Sequence, residues 1–296
     1  MYIKSPLNYI GGKYKLLNDL FTVFPKEINT FVDLFAGGFN VGVNVNANKI
    51  ICNDHINYLI EMYKYFQKTN TDLLIKSIRK KITKYDLNLE NAEGYNKFRA
   101  FYNETGNILD LFILTCFAFN HQIRFNSKHE FNTPFGRNRS TFNSSIEQNL
   151  RAFCYALQNK NIEFISQDFS TINLDKLGPN DFVYCDPPYL ISTGSYNDGK
   201  RGFKDWTEKE EVELLNKLDT LNKQKVKFAL SNVFYHKGAQ NNLLIDWSKK
   251  YSVLYLDKTY TNCNYHLKSK DTKTVEVLVL NYAPEKDTKC HQENLF

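Results

Sequence analysis

Nothing in the cysteine usage of this 296-residue chain suggests a framework. Cys52, Cys116, Cys154, Cys185, Cys263 and Cys290 are far apart, with no CxxC pair and no Cys/His cluster. That spacing argues equally against a metal site and a disulfide scaffold, and fits a reducing, cytoplasmic setting. Long apolar runs are also missing. The strongest, ILDLFILTCFAF at 108–119, is too short to cross a bilayer and contains Asp110, so it reads as a buried helix. Lys4, Pro6, Gly11 and Gly12 interrupt the opening residues, which therefore do not resemble a signal peptide. Neither a GxGxxG turn nor a P-loop lysine is present, which disfavours a dinucleotide or ATP and leaves a smaller nucleoside as the candidate ligand.

Apolar residues make up 42% of the chain and aromatics 15%, enough for a large core and a surplus of flat rings able to stack on bases. The net charge is +6 and it is concentrated. Residues 120–151 hold five Lys/Arg against two acids, and residues 222–275 hold ten Lys against three Asp. Such segments attract phosphates, although a charged run is more often a solvated face.

The chain opens with an α/β rhythm. TFVDLFAGG (30–38) is a short strand entering a glycine turn, KIICND (49–54) a strand ending in an acid, and HINYLIEMYKYF (55–66) a helix by its spacing of Ile56, Leu59, Ile60 and Tyr63. From 67 to 160 the rhythm stops. Two helical stretches there are followed by NHQIRFNSKHEFNTPFGRNRSTFN (120–143), which is polar, basic and rich in Asn. Strands then return at 162–168, 181–186 and 227–232, with a helix at 207–224. Two alternating segments at 251–260 and 274–283 predict an antiparallel hairpin closing the sheet. The expectation is one open, largely parallel α/β domain (1–66 and 161–296) interrupted by a mostly helical insertion (67–160).

Four stretches carry chemistry. Gly37 and Gly38 follow a strand, where bare backbone lets a ligand approach. Asp54 ends the next strand, a usual place for an acid that holds a ribose hydroxyl pair. In PLNYIGGKYKLL (6–17), Tyr9 can pack on a ligand and Lys13, just inside a helix, can meet a carboxylate. The most specific stretch is Asp186-Pro187-Pro188-Tyr189 at a strand end. Two prolines fix φ and so aim the Pro187 carbonyl. That carbonyl and Asp186 form two acceptors suited to the two hydrogens of an exocyclic amine, and Tyr189 offers a ring to stack on a base. The plain alternative at each place is a turn or a solvated side chain. Their sequence order argues against four coincidences.

Together these residues resemble the Dam-like, α-group AdoMet-dependent DNA adenine-N6 methyltransferases, from NYIGGK to the last hairpin. The resemblance implies a Rossmann-like class I methyltransferase sheet, S-adenosyl-L-methionine (AdoMet) as cofactor with no metal, and a helical insertion that reads DNA. It places Tyr9, Lys13, Asp33, Gly37, Gly38, Asp54, Asp168 and Asp186 about the cofactor, with Asp186, Pro187, Pro188 and Tyr189 as the catalytic motif. It assigns DNA contact to Asn120, Arg124, Asn126, Asn132, Pro134 and Arg137. Three departures stand out: NHQIR where GATC-reading members carry Asn-Gly-Leu before the arginine, His129 for a glycine, and Tyr9 for a tryptophan. The expected reaction is site-specific methyl transfer to N6 of a flipped adenine in double-stranded DNA. The protein would act as a monomer, as the modification partner of a separate restriction endonuclease. Rival readings are cytosine-N4 methylation and a non-catalytic AdoMet- or DNA-binding regulator.

Overall fold

The computed structural model describes residues 2–9, 11–191, 206–256 and 274–284. Its first strands are β1 (Thr30–Asp33), β2 (Lys49–Asn53), β3 (Ile162–Ile165), β4 (Phe182–Cys185) and β5 (Lys227–His236). They lie parallel in the order β3-β2-β1-β4-β5. β8 (Thr274–Leu280) then pairs antiparallel with β5, and β7 (Ser252–Tyr255) pairs antiparallel with β8. The expected closing hairpin is therefore present; residues 257–260 of its first segment lie outside the described residues. A short β6 (Ala239–Gln240) folds back on β5.

Side-chain alternation divides the sheet between two cores. Phe31, Phe182 and Tyr184 face one side, while Val32, Val183 and Cys185 face the other, as the two-residue strand period requires. Against the first face lie α1 (Leu17–Val23), α2 (Asn57–Lys68), α3 (Thr71–Lys84), α4 (Ala92–Thr105), α5 (Ile108–Phe117) and α6 (Ser144–Asn159). The second face carries α7 (Glu208–Lys223) and α8 (Asn242–Ser248). α5 is buried on nearly every side, as its run of apolar residues implies. Its one acid, Asp110, is fully buried and paired with Lys81 at 2.6 Å. The helices of 67–160 share one continuous core with the sheet.

Strand order reverses between β1 and β4, both of which are central to the sheet. Open parallel sheets leave a crevice at that point, beyond the carboxyl ends of the strands. Asp33 ends β1, and Asp186 directly follows β4.

Candidate active site

A cleft opens at this switch point. It is lined by ten of the residues expected there: Tyr9, Lys13, Asp33, Gly37, Gly38, Asp54, Asp186, Pro187, Pro188 and Tyr189. Each is placed by a local cause. Gly37 has φ +46°, a left-handed conformation that side chains resist, and a Cβ there would lie 2.9 Å from the Tyr9 ring. The turn thus needs glycine both for its conformation and for the close approach of Tyr9. Asp54 holds the turn in place: one carboxylate oxygen accepts from the Gly37 N–H at 2.8 Å and the other from the Ile56 N–H at 2.9 Å. Behind it, buried Asn53 donates to the carbonyls of Leu34 and Gln167, stitching the ends of the strands together.

Lys13 lies in a 3-10 turn (Lys13–Leu16) leading into α1, not yet inside the α-helix. Its buried ammonium pairs with Asp186 at 2.8 Å, donates to the Gly11 carbonyl at 3.0 Å and stands 5.2 Å from the centre of the Tyr189 ring. Burial opposes the charge on Lys13, but Asp186 and Tyr189 together outweigh it and raise the lysine well above its ordinary value. Asp186 keeps 18% side-chain exposure, directed into the cleft, and accepts from the Tyr189 hydroxyl at 3.1 Å. Burial pushes its carboxyl upward while Lys13 and Tyr189 pull it back. Asp33 is fully enclosed and has no cation beside it among the described residues. Burial lifts it to about 8, against the pull of the Gly42 N–H that donates to it at 3.0 Å, and the nearby Asp186 and Asp54 charges add to the rise.

This donor set fits an amino-acid-bearing nucleoside cation. A cationic group beside the buried acids Asp33 and Asp186 would favour their ionised forms, the Lys13 ammonium can meet a carboxylate, and the bare Gly37–Gly38 turn admits a ring or ribose. Tyr184, which the motif reading passed over although it lies within FVYCD, also lines the cleft with a buried hydroxyl. Phe35, His55 and Asn40 were missed likewise; Phe35 stands inside the DLFAGG stretch itself. Cys185 points to the opposite face of the sheet, and burial raises its thiol far above neutrality, which removes it as a nucleophile.

Asp168 is not among the cleft-lining residues. Its carboxylate accepts from the Ser170 N–H at 3.0 Å and from the Ser170 hydroxyl at 2.7 Å, capping the turn after β3.

The six residues expected to contact DNA lie together on the 118–136 stretch and its continuation. Two antiparallel bridges, Ala118 with Phe135 and Phe125 with Phe131, form a minimal hairpin. Phe125 and Phe131 are buried at its root, whereas Asn120, Arg124, Pro134 and Arg137 are exposed. The Arg124 Nε donates to the Asn132 side chain at 3.1 Å, and Asn126 accepts from the N–H groups of Lys128 and Glu130 at the tip. Asn103 of α4 clips the hairpin at both backbone groups of Phe131, at 2.8 and 3.2 Å. Phe119, also exposed, carries the Arg139 guanidinium 4.8 Å above its ring. The Asn8 amide donates to the Asn120 carbonyl at 3.0 Å, so this surface adjoins the loop that carries Tyr9.

Residues 9–262 match the family model for D12 class N6 adenine-specific DNA methyltransferases. The chain belongs to that family. It is 51% identical over 281 residues to the type II methyltransferase M.FokI of Planomicrobium okeanokoites, a match covering 95% of this chain and 43% of that protein. It is 50% identical over 283 residues to the modification methylase StsI of Streptococcus sanguinis, with the same coverage of both chains. The DNA adenine methylase of Escherichia coli K12 is 26% identical over 231 residues, covering 76% of this chain and 79% of that one. The chain thus spans less than half the length of the first two relatives. Among the described residues, no cluster of three His, Cys, Asp or Glu side chains could hold a metal ion, and no helix is long and apolar enough to cross a membrane.

Proposed function

We propose that the protein transfers a methyl group from AdoMet to N6 of an adenine flipped out of double-stranded DNA. In a restriction-modification setting, it would protect the site that a separate endonuclease cuts. The observation that carries this reading is Asp186: a carboxylate at the mouth of the cleft, oriented by Lys13 and Tyr189 and followed by two prolines. Membership of an adenine-specific family favours adenine over cytosine as the target. We place the catalytic body at 1–66 and 161–296 and the target-reading insertion at 67–160, acting as a monomer in the cytoplasm.

AdoMet bound in the cleft supplies an electrophilic methyl group on a sulfonium. Lys13, Asp33 and Asp186 would hold its amino-acid end, with Tyr9 and the Gly37–Gly38 turn along the nucleoside. Asp168, in the turn after β3, would stand near the adenine end of the cofactor. The chain's own task is to make a poor nucleophile competent. The N6 lone pair is delocalised into the base. Asp186 and the Pro187 carbonyl accept the two amine hydrogens, which favours a pyramidal nitrogen whose lone pair faces the methyl. The Tyr189 ring supports the base and offsets part of the few kcal/mol of unstacking. Direct transfer needs no covalent enzyme intermediate, so proximity and orientation carry much of the rate. On the insertion, Arg124, Asn126, Asn132 and Arg137 would present donors to base edges, while Asn120 and Pro134 shape the contact.

Asp186→Ala tests the assignment. Methyl transfer to DNA should fall by at least a thousandfold (on the order of 4 kcal/mol of barrier) with the thermal unfolding transition retained. Turnover near the unmodified level would remove the acceptor pair from the reaction.

A further inference from the structure

Behind the cleft wall stands a buried acid that the reaction described above does not use. Glu211, in the first turn of α7, has no measurable exposure and pairs with no cation among the described residues. Three neutral donors converge on it. The Trp206 indole N–H reaches one carboxylate oxygen at 2.6 Å, and the side-chain amides of Asn232 and Asn241 reach the other at 3.2 and 3.1 Å. The arrangement requires a carboxylate. A glutamine can accept on one atom only, and its amino group would then confront an indole N–H or an amide, donor against donor. Burial pushes the Glu211 carboxyl upward, while the Trp206, Asn241 and Asn232 donors and the helix N-terminus favour its charged form.

What the acid holds is the aromatic wall of the cleft. Trp206 lies edge-on to Phe35 at 5.6 Å and against Phe169 at 5.3 Å, and Phe35 and Phe169 touch each other at 5.4 Å. Phe35 lines the cleft directly. Phe169 follows Asp168, whose turn α7 also grips through the Lys217 ammonium on the Ile172 carbonyl at 2.8 Å. Asn232, another of the donors, follows Ser231, whose hydroxyl lies 3.5 Å from that of Tyr189.

We propose that Glu211 is a positioning residue that locks Trp206, and through it Phe35, into the conformation that seats the nucleoside cofactor. It would thereby set cofactor affinity without taking part in methyl transfer. This rests on the cleft being the AdoMet site. Loss of the carboxylate frees the indole to turn, and the wall follows it. Removing the indole N–H as well removes the need for the acid, because a phenylalanine at 206 maintains ring contact and demands no acceptor.

The test uses the full chain carrying Trp247→Phe, which leaves Trp206 as the sole tryptophan of the two in the sequence. Titration with AdoMet and with S-adenosylhomocysteine reads the Trp206 emission, and steady-state methylation gives KM and kcat. Glu211→Gln should raise the KM for AdoMet five- to twentyfold, leave kcat within about threefold, and red-shift the Trp206 emission. Trp206→Phe combined with Glu211→Gln, in the unmodified Trp247 background and read by isothermal titration and kinetics, should return KM to within about threefold of the starting protein. An unchanged KM, a loss confined to kcat, or a KM that the double variant fails to restore would each overturn the proposal. If Glu211→Gln does not fold, Trp206→Leu against Trp206→Phe tests the same wall: a weakened KM only for leucine supports it, and equal values overturn it. A parent protein that binds neither compound would instead overturn the reading of the cleft itself.

Discussion

Asp33 shows how one residue's surroundings decide its chemistry. Buried with no cation beside it among the described residues, it titrates near 8 in the folded protein against an ordinary 3.8. Between those values the folded state binds the extra proton, so stability falls as pH rises through that window, by up to about 1.4 kcal/mol per pH unit from this group alone. Asp33→Asn should therefore show a flatter decline in denaturation midpoint between pH 5.5 and 7.5 than the unmodified protein. Parallel declines would mean that Asp33 is already ionised across that range. Gly37 makes the complementary point. Gly37→Ala must place a methyl 2.9 Å from the Tyr9 ring at a left-handed φ, and should cost about 1–3 kcal/mol of stability while weakening AdoMet binding. Calorimetry and cofactor titration check both, and an unaltered affinity would show that Tyr9 can move aside without consequence. These residues were legible because backbone demands leave short local signatures. Tyr184 and Phe35 lay inside the same quoted stretches but read as core residues, since an aromatic in a strand gives no sign of which edge faces a ligand. Glu211 was less visible still: in sequence it is one of three acids in the first turn of a helix, and only burial separates it from its exposed neighbours.

At the scale of elements, the closing pair followed from alternation, the parallel strands from short apolar runs that end in a glycine turn or an acid, α2 from its apolar spacing, α5 from its apolar run and α7 from its acidic first turn. α4 and α6 had no such prior assignment. The buried stripe of α4 is Tyr95, Phe98 and Tyr102, aromatics that also suit strands, and Gly94 interrupts its first turn. Gly94 is fixed by tertiary packing, because a Cβ there would meet the Tyr85 carbonyl at 2.3 Å. α4 matters because its Asn103 clips the hairpin. Arg124→Ala should relax discrimination between the preferred site and single-base variants by about tenfold or more, with the KM for AdoMet unchanged. Asn103→Ala should act in the same direction by loosening Phe131. Methylation rates on a panel of duplex substrates measure both, and unchanged site preference in Arg124→Ala would contradict the reading role of the hairpin.

For the whole molecule, the sheet's strand order brings the ends of β1 and β4 side by side although some 150 residues separate them in the chain, with the insertion between. No local pattern carries that juxtaposition; it follows from the connection rules of parallel sheets, whereas the stretches around Tyr9, Gly37, Asp54 and Asp186 are each readable locally and together carry the resemblance. Asp168 marks the limit. The resemblance puts it by the cofactor, and its carboxylate accepts from both the N–H and the hydroxyl of Ser170 in the turn after β3, a pairing that its place in the sequence does not announce. On the proposed reading, the DNA site would be set by donor geometry along the hairpin, which sequence position does not encode. The most direct measurement is single-molecule modification sequencing of unmethylated plasmid DNA after incubation with the protein and AdoMet. N6-methyladenine at one short motif is the predicted result. Methylated cytosine, or no modified base from protein that binds AdoMet, would contradict the account.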